Sequence, residues 1–158
     1  MIEVVLLGTG TPLPDPSRCG SGVAVVADGR WVLVDCGRGV TQRVIESALD
    51  LATIDAVALT HHHSDLATLS IARWVDGATT PLVVVAPRGP CSRFARHCLD
   101  GYEDQAFHSQ AEPGSPLRPA VTVHEFAPTG CQRRPSSGTP AHDRWVSWPT
   151  PSTCRASC

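Results

Sequence analysis

Three consecutive histidines and a nearby aspartate, in the run Thr60-His61-His62-His63-Ser64-Asp65, are the residues of this chain best equipped for chemistry. His61 and His63 are two apart. In an extended segment successive side chains alternate, so both imidazoles project to one side, where they can share a metal ion at about 2.0–2.1 Å, and His62 points the other way. Asp65 adds a hard oxygen close behind, able to bind a second cation or to accept a proton from activated water. Imidazole with carboxylate suits Zn²⁺ best, with Mn²⁺ and Fe²⁺ as alternatives on ligand type alone. Three adjacent histidines can also be a solvated loop, so the motif by itself leaves both readings open.

The elements that must position these residues read as an α/β pattern. Ile54–Leu59 is a short apolar strand ending directly before the histidines, at the end where ligand-binding loops of α/β proteins gather. Upstream, Val4–Leu7, Val23–Ala27 and Trp31–Val34 read as strands, with Asp28-Gly29 suited to a tight hairpin turn. Gly39–Leu49 carries Val40, Val44, Ile45 and Ala48 at the spacing of one helical face. Leu66–Val75 and Cys91–Leu99 read as helices, Leu82–Val85 and Val121–Phe126 as strands. Cys131–Cys158 then contains no Leu, Ile or Phe and is dominated by Pro, Ser, Thr, Arg and Cys, a composition that cannot pack a core. The expected organisation is a folded domain over residues 1–126 and an irregular tail over residues 127–158, disordered or translated from a shifted reading frame.

A chain of 158 residues with 42% hydrophobic content supports one ordinary domain. Its net charge of −2 excludes a global positive field toward nucleic acid or an anionic membrane, so any RNA contact must be local. Glu3 and the short apolar run after it do not form a signal peptide, and no later run reaches membrane-spanning length; the expectation is a soluble, cytoplasmic protein. Seven cysteines without a CxxC pair read as reduced thiols. Gly8-Thr9-Gly10 follows a strand, but Pro12, Pro14 and Pro16 stand where a dinucleotide-binding fold must start a helix.

Leu6-Leu7-Gly8-Thr9-Gly10-Thr11-Pro12, Leu33-Val34-Asp35-Cys36-Gly37 and Leu59-Thr60-His61-His62-His63-Ser64-Asp65, together with Thr80-Pro81-Leu82 leading into Val83–Gly89, resemble the metallo-β-lactamase fold. Within it they are most similar to the ribonuclease Z branch, over roughly four-fifths of the chain. The resemblance implies an α/β fold, the αββα sandwich, apparently truncated at the C-terminus because this length supplies little more than half of it. It implies a zinc-dependent hydrolase whose family role is endonucleolytic processing of the tRNA 3′ end. His61, His63 and Asp65 would be metal ligands, with Asp65 also the proton acceptor. Asp35 and Thr60 would hold the histidine loop by hydrogen bonds instead of binding the ion. One or two Zn²⁺ are expected, with precursor tRNA or a small phosphodiester as partner. Related proteins hydrolyse cyclic phosphodiesters, sulfate esters or lactones, and that reading stays open.

The chain departs from the family pattern His-x-His-x-Asp-His at its last position, which is Leu66 and offers no lone pair. No match is found for the family's further ligands downstream. His97, His108, His124 and His142 read as surface or packing residues. An inactive truncated remnant with at most a partial metal site is therefore the alternative to an enzyme. A half-built sandwich would also leave a sheet face exposed, which predicts poor solubility or a homodimer.

Overall fold

Asp28 and Gly29 set the first architectural feature. Both adopt left-handed backbone (φ 52° and 76°), the conformation a two-residue hairpin turn needs, and they join strand β2 (Gly22–Ala27) to strand β3 (Arg30–Val34). Strand β1 (Ile2–Gly8) pairs antiparallel with β2 on its other side. The computed structural model describes residues 1–11, 13, 15–102 and 119–127, and these lie within the compact unit Met1–Pro128. The expected tail from residue 128 onward, His108 and His142 lie outside the described residues.

From β3 the chain switches to parallel pairing, and each return passes through a helix. Helix α1 (Val40–Glu46) leads by a 3₁₀ turn, Leu51–Thr53, to strand β4 (Ile54–Ala58). Helix α2 (Leu66–Val75) leads to strand β5 (Leu82–Pro87), and helix α3 (Pro90–His97) precedes strand β6 (Val121–Phe126). The six strands form one sheet in the order β1-β2-β3-β4-β5-β6, with β3 to β6 parallel. Helix α1 stops short of the predicted Leu49 because Ala48 turns left-handed (φ 57°) and breaks the repeat.

The alternation of side chains along the strands separates two faces. One carries Ala24, Leu33, Val57 and Val84 in register, all fully buried against Val40 and Val44 of α1, Leu66 and Leu69 of α2, and Ala95 of α3. The other carries a second row in register, Leu6, Val23, Val34, Ala58, Val85 and His124, whose interior members are half-buried. On β1 this face leaves Ile2, Val4 and Leu6 exposed. Among the described residues every helix packs in the first cluster, and no helix lies on this second, apolar face.

Helix α3 is fastened to β6 by one carboxylate. Glu125 accepts hydrogen bonds from Ser92 (2.8 Å), Arg96 (2.8 Å) and Arg88 (3.2 Å). These donors, Ser92 first, hold its pKa below the ordinary value of 4.5. A depressed carboxylate stabilises the fold above its unfolded pKa, and that contribution is lost as pH falls through the lower folded value. In thermal denaturation followed by circular dichroism, Glu125→Gln is expected to melt lower than wild type at pH 7, and to lose less stability than wild type below about pH 4.5.

Candidate metal centre

Parallel pairing of β3 with β4 brings the loops that leave their C-terminal ends side by side. Asp35 follows β3, and its backbone N–H bonds to the Ala58 carbonyl of β4 at 2.8 Å. Thr60 and the histidines follow β4. One ligand atom each from Asp35, His61 and His63 lies within 4.8 Å of the others, which makes a three-ligand cluster.

Asp35 is held in a demanding conformation. It is buried, and its φ of 63° is left-handed, a region that Asp visits more readily than most residues but at a cost. What fixes it is Thr60: the backbone N–H of Thr60 donates to Asp35 Oδ1 at 2.8 Å, and the Thr60 hydroxyl lies 3.0 and 2.9 Å from the two carboxylate oxygens. A carboxylate can only accept, so the single hydroxyl proton goes to Asp35. The Thr60 oxygen, 2.8 Å from His61 Nδ1, then accepts the Nδ1 proton, which leaves the Nε2 lone pair of His61 free for a metal.

His63 is buried, and its Nε2 lies 2.9 Å from Asp35 Oδ1 but off the line a ring N–H would take, so this buried nitrogen makes no aligned hydrogen bond. Burial, the largest cause, lowers its pKa despite the nearby carboxylate and keeps the ring neutral near pH 7. A neutral imidazole beside a carboxylate, with a second imidazole centred 4.2 Å away, is a donor set that fits one divalent cation. His62 turns edge-on to Phe94, with ring centres 5.4 Å apart, and takes no part in the cluster.

Among the described residues the donors for a second ion are fewer. Asp65 lies outside the three-ligand group, and its Oδ2 accepts the backbone N–H groups of Gly39 and Thr41, both at 3.1 Å, at the start of α1. Its own N–H reaches the Cys36 carbonyl at 3.2 Å. Leu66 is completely buried among the core side chains. His61 and His63 thus lie close to Asp35, the residue expected to hold their loop by hydrogen bonds, and Asp65 latches that loop to α1.

The cluster opens into a cleft of about 420 Å³ whose walls include Gly10, Ser21, Arg38 and Ser64. Two backbones cross tightly beside it, since a Cβ on Gly20 would sit 2.6 Å from the Arg38 nitrogen and one on Gly37 would sit 2.7 Å from Ser21. Arg38 and this crossing went unnoticed in the sequence. Glycine at both crossing positions was the available signal, but only the β2–β3 pairing shows that they meet.

The metallo-β-lactamase superfamily pattern matches residues 18–65, the segment that carries the whole cluster. Curated ribonuclease Z proteins from Mycolicibacterium paratuberculosis and Mycobacterium marinum are 47% and 38% identical to the chain over 79% and 80% of its length. Among solved structures, human tRNase Z, short form, superposes with a TM-score of 0.60 at 27% identity, over 82% of this chain and 46% of that one. The metallo-β-lactamase fold protein YhfI from Bacillus subtilis gives 0.58 at 19% identity, over 85% of this chain and 50% of that one, a likeness of fold alone. Fold and cluster together are those of a metallo-β-lactamase-fold protein. Within that fold the chain is similar to ribonuclease Z proteins, and it spans about half the length of the curated relatives it matches. Among the described residues no helix is long and apolar enough to cross a membrane.

The Asp65 latch makes a direct prediction. Asp65→Ala removes the acceptor of two backbone N–H groups and is expected to cost about 1–3 kcal/mol in urea denaturation. A change below about 0.5 kcal/mol would show that water replaces the carboxylate without loss.

Proposed function

We propose that this chain carries the metal-binding part of a cytoplasmic, zinc-dependent phosphodiester hydrolase of the ribonuclease Z type, acting on the 3′ end of precursor tRNA. The observation that supports it best is the coincidence of the superfamily match at residues 18–65 with the Asp35–His61–His63 cluster at the C-terminal edge of parallel strands. His61 through Nε2 and His63 through its free ring nitrogen would hold the ion, with the Asp35 carboxylate beside them. Zinc, when bound, supplies the Lewis acidity that makes water nucleophilic near neutral pH. Thr60 and Asp35 orient the two imidazoles, and Asp65 keeps the loop against α1. Asp65 accepts the Gly39 and Thr41 amides through Oδ2, which leaves its Oδ1 to serve as ligand or proton acceptor.

Burial of Leu66 and the latched Asp65 favour a second reading, in which the chain binds one ion and does not turn over. Elemental analysis and a bis(p-nitrophenyl) phosphate assay on the same preparation separate the two. The enzyme reading expects zinc together with hydrolysis, both abolished in His61→Ala and Asp35→Ala, and cleavage of a precursor tRNA. Zinc near one equivalent without hydrolysis assigns the chain to the second reading, and no zinc at all removes both.

The apolar face opposite the helices supports self-association as well. Its exposed β1 side chains Ile2, Val4 and Leu6 carry no charge that would oppose a second copy. Size-exclusion chromatography with light scattering is expected to show a dimer or larger species, and a monodisperse monomer refutes this.

A further inference from the structure

The proposed reaction requires a substrate phosphate to be held next to the metal cluster, and nothing so far described supplies that grip. The Asp35, His61 and His63 side chains are taken up by the candidate metal cluster. The cleft contains polar hydroxyls, such as Ser21 and Ser64, and none of its described lining residues is a carboxylate, the nearest named one being Asp35 beside the histidines. Arg38 is its one formal cation among the described lining residues.

Arg38 differs from most other arginines of this surface. Arg18, Arg30, Arg43, Arg88 and Arg96 each sit in an ion pair with an aspartate or glutamate. Among the described residues the Arg38 guanidinium has no such partner and makes one long hydrogen bond, 3.5 Å to the Arg18 carbonyl; Arg93, likewise without an ion pair among them, does not line the cleft. Its backbone, by contrast, is fixed: the Arg38 carbonyl accepts the Gly20 N–H at 2.8 Å, and the adjoining Gly37 N–H bonds to the Ser21 carbonyl at 2.9 Å. The crossing of Gly20 and Gly37 leaves no room for a side chain at either position. A hydrogen-bonded backbone carrying a planar, five-donor cation without an ion-pair partner, on the wall of a cleft whose described lining holds no carboxylate, is suited to bidentate binding of a phosphate.

We propose that Arg38 is the phosphate-binding residue of this site, holding the non-bridging oxygens of a phosphodiester beside the ion. The inference rests on the hydrolase reading for its location and adds to it the residue that selects anionic phosphate esters over neutral esters such as lactones. Arg38 donates two N–H groups to the phosphate and offsets its charge next to the Asp35 carboxylate of the cluster. No proton or bond is transferred at this residue.

The test uses dimethyl phosphate, a simple phosphodiester anion, titrated into the zinc-treated 158-residue chain and followed by the ring-proton resonances of His61 and His63 and the Arg38 Nε–H resonance. Arg38→Gln is expected to weaken binding about tenfold. Arg38→Lys should recover part of the loss, because it keeps the charge but not the fork. Arg18→Gln, a neighbouring cation already paired with Asp15, should leave binding unchanged. Zinc content, measured on each variant, should match wild type, since Arg38 is not a ligand. Equal binding by wild type and Arg38→Gln overturns the proposal, as does a zinc-loaded wild type that does not bind the probe. Equal losses in Arg18→Gln and Arg38→Gln overturn it too, by showing a diffuse field instead of a site. If binding depends on Arg38 in a chain that holds no zinc and hydrolyses nothing, the phosphate site stands and the hydrolase reading fails.

Discussion

The Asp35 carboxylate is the junction on which the rest of the site depends. It ends β3 in a left-handed conformation that costs energy, and hydrogen bonds from the backbone and hydroxyl of Thr60 hold it there. Through Thr60 it fixes the tautomer of His61, and by proximity it faces the buried ring of His63. One side chain thus ties two loops together, orients two imidazoles and contributes the only negative charge of the cluster. Such strain persists only where the surroundings over-determine it, and here the β3–β4 pairing and four close contacts do so.

Position 66 explains why the neighbouring aspartate plays a different part. Leucine there is drawn into the core, fully buried among Val40, Val44 and Leu69, and starts α2 with its side chain turned inward. Asp65, one residue earlier, then lies against the start of α1, where unpaired backbone N–H groups attract an anion. Gly39 and Thr41 supply two of them. A carboxylate satisfied in this way gains little by turning toward a second cation unless that cation has other ligands, and Leu66 provides none. The hydrophobic demand of one core position and the capping demand of a short helix together draw residues 65 and 66 away from the three-residue cluster.

Much of the architecture was legible in the sequence because period and punctuation agreed. The limits of Leu66–Val75 and Val121–Phe126 follow directly from their apolar spacing, and Asp28-Gly29 marks its hairpin by the only residue types that turn that way cheaply. Leu49 was misplaced in the first helix because a left-handed Ala48 leaves no compositional trace. At the site, the pairing of His61 with His63 follows from strand alternation alone. The closeness of Asp35 to the two imidazoles does not, because it depends on which strands are neighbours: 26 positions separate Asp35 from His61, and only β3–β4 parallel pairing makes them adjacent. Arg38 was illegible for the same reason, since its meaning comes from the crossing of Gly20 and Gly37.

The two faces of the sheet differ in what covers them among the described residues. Leu33 and Val57 alternate with Val32, Val34 and Ala58, so the same strands offer an apolar surface on both sides. Strands that are apolar on both faces belong to the interior of a layered structure, where each face has a covering layer. In the described residues the helices supply one layer, and the relatives are about twice as long as this chain. The cluster sits on the rim of the sheet, where Asp35 and the histidines emerge from β3 and β4. Val34, the last residue of β3, belongs to the apolar face and Asp35, the next residue, to the cluster, so the two features meet along one stretch of backbone.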